Sequence, residues 1–368
     1  MKGKVCHITT VHPALDIRIF EKECISLANN GWEVHLLAPN TTSRRERGVQ
    51  IHGIDCSSEN RWLRIIHRSR VMLQAAIAID ADVYHFHDPE FLLQASKLVR
   101  LGKKVIYDVH EDVPRQIMGK PYLPSWSRAI ISRCFEMFEN KRAKRLSAII
   151  TATDTISKRF EGIHHQVTTI FNYPILKEIQ SIPAWKEREH AVVYVGGVTE
   201  IRGIRELVQS MDLLPENVKL HIAGAISPAS FEEELMSLSG WRKVVYHGTI
   251  GRSEIAQLLT HSKVGVVTLY PQVNYLDSMP IKLFEYALAG LPVVASDFPF
   301  WIQLVSVNGI GLNVNPKDVE AIAKALERLL IDEELAIEMG QKGRDMVMEK
   351  LNWLEEEKKL LTAYQELI

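Results

Sequence analysis

The chain alternates short apolar runs with segments of helical period, and the alternation starts again in the second half. In the first half, the runs predicted as strands are Lys4–Thr10, Val34–Ala38, Val49–Ile54, Val83–Phe86, Val105–Tyr107 and Ala148–Thr151. In the second half, they are Val192–Val195, Leu220–Ala223, Val244–His247, Val264–Leu269, Val293–Ala295 and Gly311–Val314. Apolar strands separated by helices are typical of parallel sheets covered on both faces. The sequence therefore predicts an α/β protein with two doubly wound domains facing a central cleft.

The length of 368 residues also suits two domains. Between the two series of strands, residues 172–189 carry two prolines and many charges without a clear period, which is typical of a linker. We therefore expect an N-terminal domain over residues 1–172 and a C-terminal domain over 190–345. The tail from Asp332 onward is predicted to be helical throughout, and its last part, 346–368, is long enough to cross back to the first domain.

Charge and composition exclude several classes of protein. A net charge of −1, without a basic stripe interleaved with aromatic residues, argues against nucleic acid as the main partner. No apolar run reaches the length of a membrane span, the start does not resemble a signal peptide, and the four cysteines form no C-x-x-C pair. The sequence thus predicts a cytoplasmic protein. Residues 59–73 and 124–145 mix Trp, aliphatic and basic residues, so each is either a helix on an anionic membrane surface or a core-facing helix with a solvated basic face.

The segment DSMPIKLFEYALAGLPVVASD, residues 277–297, carries the most specific chemistry. It predicts a loop, a short amphipathic helix and a buried strand. Proline suits the first turn of a helix, and the free N–H groups from Met279 through Pro280 to Ile281 form an anion site that Lys282 reinforces. Two carboxylates, Asp277 and Glu285, flank it. Phosphate-binding N–H groups, a cation and hydroxyl-binding acids are the groups that a nucleotide sugar requires.

A second glycine-containing loop supports the same ligand. In VGGVTEIRG, residues 195–203, Gly196 and Gly197 let the backbone approach a ligand closely, and Arg202 can bind a diphosphate. After another strand, the loop that ends at Ile250 can read a nucleobase edge with its backbone. The dinucleotide fingerprint G-x-G-x-x-G is absent, which disfavours a dehydrogenase.

Polar clusters follow three strands of the first half. His12 and Asp16 lie in the first loop, which is either an ordinary strand-to-helix connection or part of an acceptor site. His87 and Asp88 suggest acceptor binding or structural bracing, and no other His or Cys lies at a metal-binding spacing. His110 is either a satisfied loop histidine or a group that contacts a sugar and stabilises its developing positive charge. Its neighbour Glu111 is a candidate acceptor contact.

Together these motifs resemble the retaining glycosyltransferases of family four, which have the GT-B fold of two Rossmann-like domains. PIKLFEYALAGLPVVASD and YVGGVTEIRG carry the resemblance, and HFHDPE and DVHED look like a branch that builds bacterial surface polysaccharides. The resemblance implies transfer of a sugar from a nucleoside diphosphate sugar to a glycan or a polyprenyl-linked acceptor. It also implies an acceptor-binding first domain, a donor-binding second domain, and no metal or cofactor.

The resemblance assigns roles to particular residues. Glu285 matches the glutamate that binds the nucleotide ribose, and His110 matches the histidine near the donor sugar. Asp277 stands where the family has a second glutamate that touches that sugar. Gly197 occupies a place that often holds Arg, whereas Arg202 replaces a Lys. The expected catalytic residues are therefore His110, Asp277 and Arg202.

Two alternatives stay open at this point. One is an epimerase that acts on a nucleotide-linked sugar with the same fold. The other is a non-catalytic protein that binds the nucleotide but has lost turnover, and the departures at Asp277 and Gly197 are the reason to consider it.

Overall fold

The computed structural model describes residues 2–55, 61–120, 123–179 and 181–367, without the side chains of 61–66 and 274. Cys56 and residues 59–60 of the first basic segment thus lie outside the described residues. The chain divides into two compact units: Met1–Asn172 with Trp353–Ile368, and Tyr173–Asn352. Residues 173–189 therefore belong to the second unit.

The first unit contains a sheet with the strand order β3-β4-β2-β1-β5-β6-β7-β8 among its described residues. The strands are β1 Lys4–Ile8, β2 Glu33–Pro39, β3 Arg44–Glu46, β4 Val49–Ile54, β5 Val83–Phe86, β6 Lys104–Val109, β7 Ala148–Thr151 and β8 Val167–Thr169. The helices are Ile17–Cys24, which is π-helical, and Ile25–Asn29, Arg61–Ile79, Leu92–Arg100, Val113–Met118, Ser125–Ala143, Asp154–Glu161 and Trp353–Gln365. All pairs are parallel except β3 with β4. The short edge strands β3 and β8 carry no long apolar run, and sequence analysis missed them.

The second unit contains a parallel sheet with the order β11-β10-β9-β12-β13-β14. Its strands are β9 Ala191–Val195, β10 Lys219–Ala223, β11 Val244–Gly248, β12 Val264–Val267, β13 Val293–Ser296 and β14 Gly311–Val314. Its helices are Ile204–Ser210, Ala229–Ser237, Arg252–His261, Val273–Leu276, Ile281–Leu288, Pro299–Ile302, Val319–Ile331 and Glu333–Glu349, with a π-helical turn at Gln303–Val307. Strand β9 lies at the centre between β10 and β12, and all five of its residues are buried.

Both sheets are built from the apolar runs that the sequence displays. Central strands such as β5 and β7 are buried along their whole length because helices cover both faces of a parallel sheet. The prediction of an α/β fold with two Rossmann-like domains is confirmed.

The tail is not one continuous helix, as the sequence pattern had indicated. It forms the helices Glu333–Glu349 and Trp353–Gln365, and the break contains Asn352. The Asn352 side chain donates hydrogen bonds to the carbonyls of Val347 and Met348 at 2.9 and 3.1 Å, which satisfies the end of the first helix. The second helix belongs to the first unit, where the Trp353 indole donates to the Ser26 hydroxyl at 2.9 Å.

Candidate donor and acceptor sites

In the second unit, a buried cation lies beneath the glycine loop that follows β9. Among the described residues, the Lys282 ammonium is buried and has no hydrogen-bond partner. It lies 4.1 Å from the centroid of the Tyr194 ring. A Cβ added to Gly196 would come within 2.7 Å of Lys282 Nζ, and Gly196 has a φ of +125°. Glycine at this position therefore gives the ammonium its space and allows a backbone conformation that other residues rarely adopt.

The electrostatics of this loop favour an anion. Burial lowers the pKa of Lys282 well below its ordinary value, and the charge of Arg202 lowers it further, whereas Glu285 opposes the shift. Burial also raises the pKa of Tyr194 to about 12 although Arg202 opposes this. Two cationic side chains thus share a site in which one of them is buried and unpaired. Such an arrangement is costly until an anion arrives.

The helix Ile281–Leu288 begins at the same place. It follows Pro280, and no side chain caps its first turn. The preceding loop is held by a hydrogen bond from the Trp301 indole to the Ser278 carbonyl at 2.8 Å. Strand β12, which precedes this loop, pairs with β9, which precedes the glycine loop. Because carboxyl ends of neighbouring parallel strands meet at one edge, the structure brings Gly196, Arg202 and Lys282 together.

Glu285 is bound by Arg252, a residue that sequence analysis did not assign to the site. Its buried carboxylate accepts a hydrogen bond from Arg252 at 2.6 Å, and Arg252 also forms an ion pair with Glu178. Burial would lower the pKa of Arg252, but Glu285 and Glu178 outweigh burial and raise it. Arg252 begins a helix directly after the loop that contains Ile250. A basic residue at this position of the sequence could have indicated a site residue.

The other predicted donor residues are more exposed. Asp277 follows the short helix Val273–Leu276 and is exposed, as is Gly197. A Cβ at Gly197 would meet nothing within 4 Å. Met279 and Ile250 are half-buried, and Ile250 lies between β11 and the helix that Arg252 begins.

In the first unit, a buried carboxylate organises the histidines. Asp108, near the end of β6, accepts two hydrogen bonds from the Arg18 guanidinium at 2.8 and 2.9 Å. His110 Nε2 lies 2.8 Å and His87 Nδ1 3.2 Å from the same carboxylate. Burial would raise the pKa of Asp108, but Arg18 and His110 hold it well below its ordinary value. Because an ionised carboxylate only accepts, both histidines donate to it, and His110 keeps Nδ1 for a ligand.

Asp88 braces the loop after β1. Its carboxylate accepts hydrogen bonds from the Thr9 hydroxyl at 2.8 Å and the Thr10 amide at 2.5 Å, and it pairs with His12 at 2.9 Å. The hydrogen bond to Asp88 raises the pKa of His12. The rings of His12 and His110 lie 5.2 Å apart, so the structure brings His12, His87, Asp88 and His110 together. These contacts agree with the bracing interpretation of Asp88.

Asp16 and Glu111 are placed differently. Asp16 caps the helix Ile17–Cys24 by accepting from the amides of Arg18 and Ile19 at 2.8 and 3.0 Å. This gives Asp16 a local structural role that the acceptor prediction did not include. Glu111 is exposed and accepts a hydrogen bond from the Gln116 side chain.

Comparisons with known proteins cover nearly the whole chain. The family model described as glycosyl transferases group 1 matches residues 177–346, and the model described as glycosyltransferase family 4 matches residues 23–172. An uncharacterised glycosyltransferase of Methanocaldococcus jannaschii is 25% identical over 283 residues, which are 68% of this chain and 70% of that protein.

Solved structures share the fold at low sequence identity. Sucrose-phosphate synthase of Thermosynechococcus elongatus superposes with a TM-score of 0.80 at 18% identity, covering 99% of this chain and 98% of that one. The Anabaena protein HepE in complex with UDP and glucose gives a TM-score of 0.75 at 12% identity, covering 99% and 100%.

Proposed function

The chain belongs to the glycosyltransferases of group 1 and family 4, with the GT-B fold, and on that premise we propose that it transfers a sugar from a nucleoside diphosphate sugar with retention at the anomeric carbon. The acceptor is a glycan or a lipid-linked glycan used in surface polysaccharide synthesis. The observation that carries the proposal is the buried, unpaired ammonium of Lys282 beside Gly196.

A diphosphate is the ligand that best satisfies the second unit. Its negative charge would pair with Lys282 and Arg202, and its oxygens would accept from the uncapped first turn of the helix Ile281–Leu288. These groups would also stabilise the charge that develops on the departing phosphate without a metal ion. Because HepE, which shares the fold, was crystallised in complex with UDP, a uridine nucleotide belongs in the first test.

The hydrogen bond from Arg252 limits how the ribose can bind to Glu285. The Glu285 oxygen that accepts from Arg252 at 2.6 Å already has a strong partner. We propose that the ribose hydroxyls use the remaining acceptor capacity of this carboxylate, with Arg252 holding it in place. Asp277, one methylene shorter than glutamate, would reach the donor sugar from the exposed end of the loop.

For the first unit, we propose that His110 contacts the reacting sugar. Its Nε2 is bound to Asp108 at 2.8 Å, which fixes the ring, and its side chain is 17% exposed. The ring of His12, a predicted acceptor contact, lies 5.2 Å from the ring of His110. The proton of the acceptor hydroxyl that attacks the sugar would go to the departing phosphate.

A lipid-linked acceptor would place the enzyme at the cytoplasmic face of a membrane. Among the described residues, no helix combines the length and apolarity needed to cross a bilayer. The helix Ser125–Ala143, however, exposes Trp126, Ile130 and Met137 at 75%, 58% and 67%, and Arg133 is exposed on it. Apolar and basic side chains exposed on one helix support peripheral binding to anionic lipid.

The test is a calorimetric and turnover panel of UDP, GDP and ADP with their sugars, with and without polyprenyl-linked acceptors. Binding of one nucleotide and acceptor-dependent release of its diphosphate would support the proposal. Isomerised sugar without acceptor would indicate an epimerase, and binding without turnover would indicate a non-catalytic protein. No binding of any nucleotide would overturn the donor site itself.

His110→Ala separates the two parts of the proposal. Nucleotide affinity should stay within error of the wild type, because the anion site consists of residues of the second unit. Turnover should fall by about 10²–10³-fold, the range for removing one group that stabilises charge in the transition state. His165→Ala, which changes a histidine outside this cluster, is the control. An unchanged rate in His110→Ala would exclude His110 from the reaction.

A further inference from the structure

Four buried side chains of the first unit direct ligand atoms at one point. His7, Glu23, His85 and His87 each offer one nitrogen or oxygen, and these atoms all lie within 4.8 Å of one another. None of the four is more than 2% exposed. Glu23 Oε2 lies 3.9 Å from His7 Nδ1, 4.0 Å from His85 Nε2 and 3.9 Å from His87 Nε2.

The fold fixes this cluster through strand register. His7 on β1 is the direct partner of His85 on β5. His87 follows His85 by two positions, so both point to the same face of the sheet. Glu23 comes from the helix Ile17–Cys24. Two ligands thus stand on strands, one lies directly after a strand, and the fourth comes from a helix.

The second ring nitrogens already have partners. His85 Nδ1 lies 2.8 Å and His7 Nε2 3.3 Å from the Tyr364 hydroxyl, and His87 Nδ1 lies 3.2 Å from Asp108. Histidines that bind a metal use their other N–H in this way, donating it to an oxygen that fixes the ring. With those N–H groups donated outward, all three rings would direct lone pairs to a metal at the centre, and the hydrogen bond between His7 Nδ1 and His87 Nε2 would give way to two metal bonds.

Some buried polar atoms of the cluster have no hydrogen-bond partner among the described residues. Among the described side chains, both Glu23 oxygens and His85 Nε2 are buried without a hydrogen bond. The Arg18 guanidinium approaches Glu23 Oε1 at 3.2 Å, but the other oxygen, Oε2, faces the histidines. His87 donates to Asp108, so its Nε2 can only accept, and the donor within the cluster is His7 Nδ1 at 3.0 Å. The Glu23 oxygens and His85 Nε2 remain without a hydrogen bond, which is costly for buried groups, and a cation at the centre would satisfy them.

We propose that His7, Glu23, His85 and His87 form a buried structural site for a divalent transition metal, with zinc as the best match. Three imidazoles and one carboxylate suit zinc, and a closed four-ligand set is typical of a structural site. Tetrahedral bonds of about 2.0–2.1 Å place ligand atoms about 3.3 Å apart. His7 Nδ1 and His87 Nε2 are 3.0 Å apart, the three distances of 3.9–4.0 Å to Glu23 Oε2 need to contract by about 0.6–0.7 Å, and no distance in the group exceeds 4.8 Å.

A neighbouring group, His87 with Asp108 and His110, fits a metal less well. The Asp108 carboxylate already accepts two hydrogen bonds from Arg18 and one from each histidine. A metal there would have to replace these bonds. Sequence analysis expected no metal. His7, Glu23 and His85 are far apart in the sequence, so their spacing does not match a metal-binding motif.

The experiment measures metal in the full chain. Since the site is buried, a metal must enter during folding and resist chelators in the native state. The protein is unfolded in guanidinium with EDTA, refolded with zinc chloride or without metal, and desalted into EDTA. We expect one zinc per chain after refolding with zinc, none without it, and a higher melting temperature for the zinc form. Refolding with cobalt chloride should give the visible absorption of four-coordinate cobalt.

Matched variants locate the metal. His85→Gln and Glu23→Gln should lose the bound zinc, whereas His110→Gln and the control His247→Gln of the second unit should keep it. Should the first two fail to fold, the cobalt spectrum and zinc content of the wild-type chain decide. Substoichiometric zinc in the refolded wild type, or zinc that is lost in His110→Gln but kept in His85→Gln, would overturn the proposal.

Discussion

Replacing Lys282 with Met should stabilise the unliganded protein and weaken nucleotide binding. The ammonium is buried without a hydrogen-bond partner and lies 4.1 Å from the Tyr194 ring. Burial and the nearby Arg202 both lower its pKa, so the folded state disfavours the charge. Methionine keeps most of the length of the side chain, removes the polar group and packs well against an aromatic ring.

The free energy of unfolding should rise and the nucleotide affinity should fall, by similar free energies. An unsatisfied buried polar group costs about 1–3 kcal/mol, which Lys282→Met should return as a higher free energy of unfolding. A domain of this size shifts its melting temperature by about 2–4 °C per kcal/mol, so a rise of several degrees is expected. Losing a charged hydrogen bond to phosphate costs about 1.5–3 kcal/mol, which weakens binding about 10- to 100-fold.

Differential scanning calorimetry without nucleotide and titration calorimetry with the preferred nucleoside diphosphate measure both quantities. Lys317→Met is the matched control, because its ammonium also lies over a tyrosine, 4.9 Å from the Tyr270 ring, but the residue is exposed. It should change neither quantity appreciably. A Lys282→Met protein that melts at a lower temperature without ligand, or that binds the diphosphate as tightly as the wild type, would refute the reasoning.

Three further predictions follow from the same contacts. Because the pKa of Lys282 is lowered in the unliganded state, diphosphate binding should take up a proton. Above about pH 7, where phosphate no longer titrates, the nucleotide affinity should fall with rising pH. The binding enthalpy should depend on the buffer, and an enthalpy that is the same in all buffers would contradict proton uptake. Unliganded stability should instead rise with pH, because the unfolded lysine binds its proton more tightly than the folded one, and Lys282→Met should lack this slope in calorimetry. Gly196→Ala should cost about 1–3 kcal/mol of stability and most of the nucleotide affinity, because its Cβ would displace the Lys282 ammonium. The control Gly197→Ala, whose Cβ meets open space, should change neither stability nor affinity in the same assays. Asp108→Asn should lower stability by about 3–5 kcal/mol, because it removes the charged group that accepts two hydrogen bonds from the buried Arg18 guanidinium. The control Asp80→Asn, at an exposed ion pair, should change stability far less, and equal melting temperatures for the two would argue against the network.

Much of the fold could be predicted because burial leaves a local pattern. The predicted bounds of Val83–Phe86 and Ala148–Thr151 are those of the structure, since both are fully buried runs between polar turns. Arg44–Glu46 was missed because a short exposed edge strand has no such pattern. The break in the terminal helix was missed because the Asn352 side chain ends the helix through contacts that helical periodicity does not reveal.

The candidate donor site was predictable where it follows from topology. Gly196 and Lys282 follow strands β9 and β12, and loops after neighbouring parallel strands meet at one edge. The contact between Arg252 and Glu285 could not be predicted, because the two residues are 33 positions apart and neither sequence neighbourhood indicates the other.

The sequence by itself determined the strand and helix pattern, the two sheets and the loops that carry polar residues, because these depend on the spacing of apolar side chains along the chain. Tertiary structure alone decided which polar side chains became partners. The register of β1 against β5 places His7 opposite His85, and the packing of a helix brings Glu23 to them. Such juxtapositions depend on distances across the sheet, and residue order does not encode those distances locally.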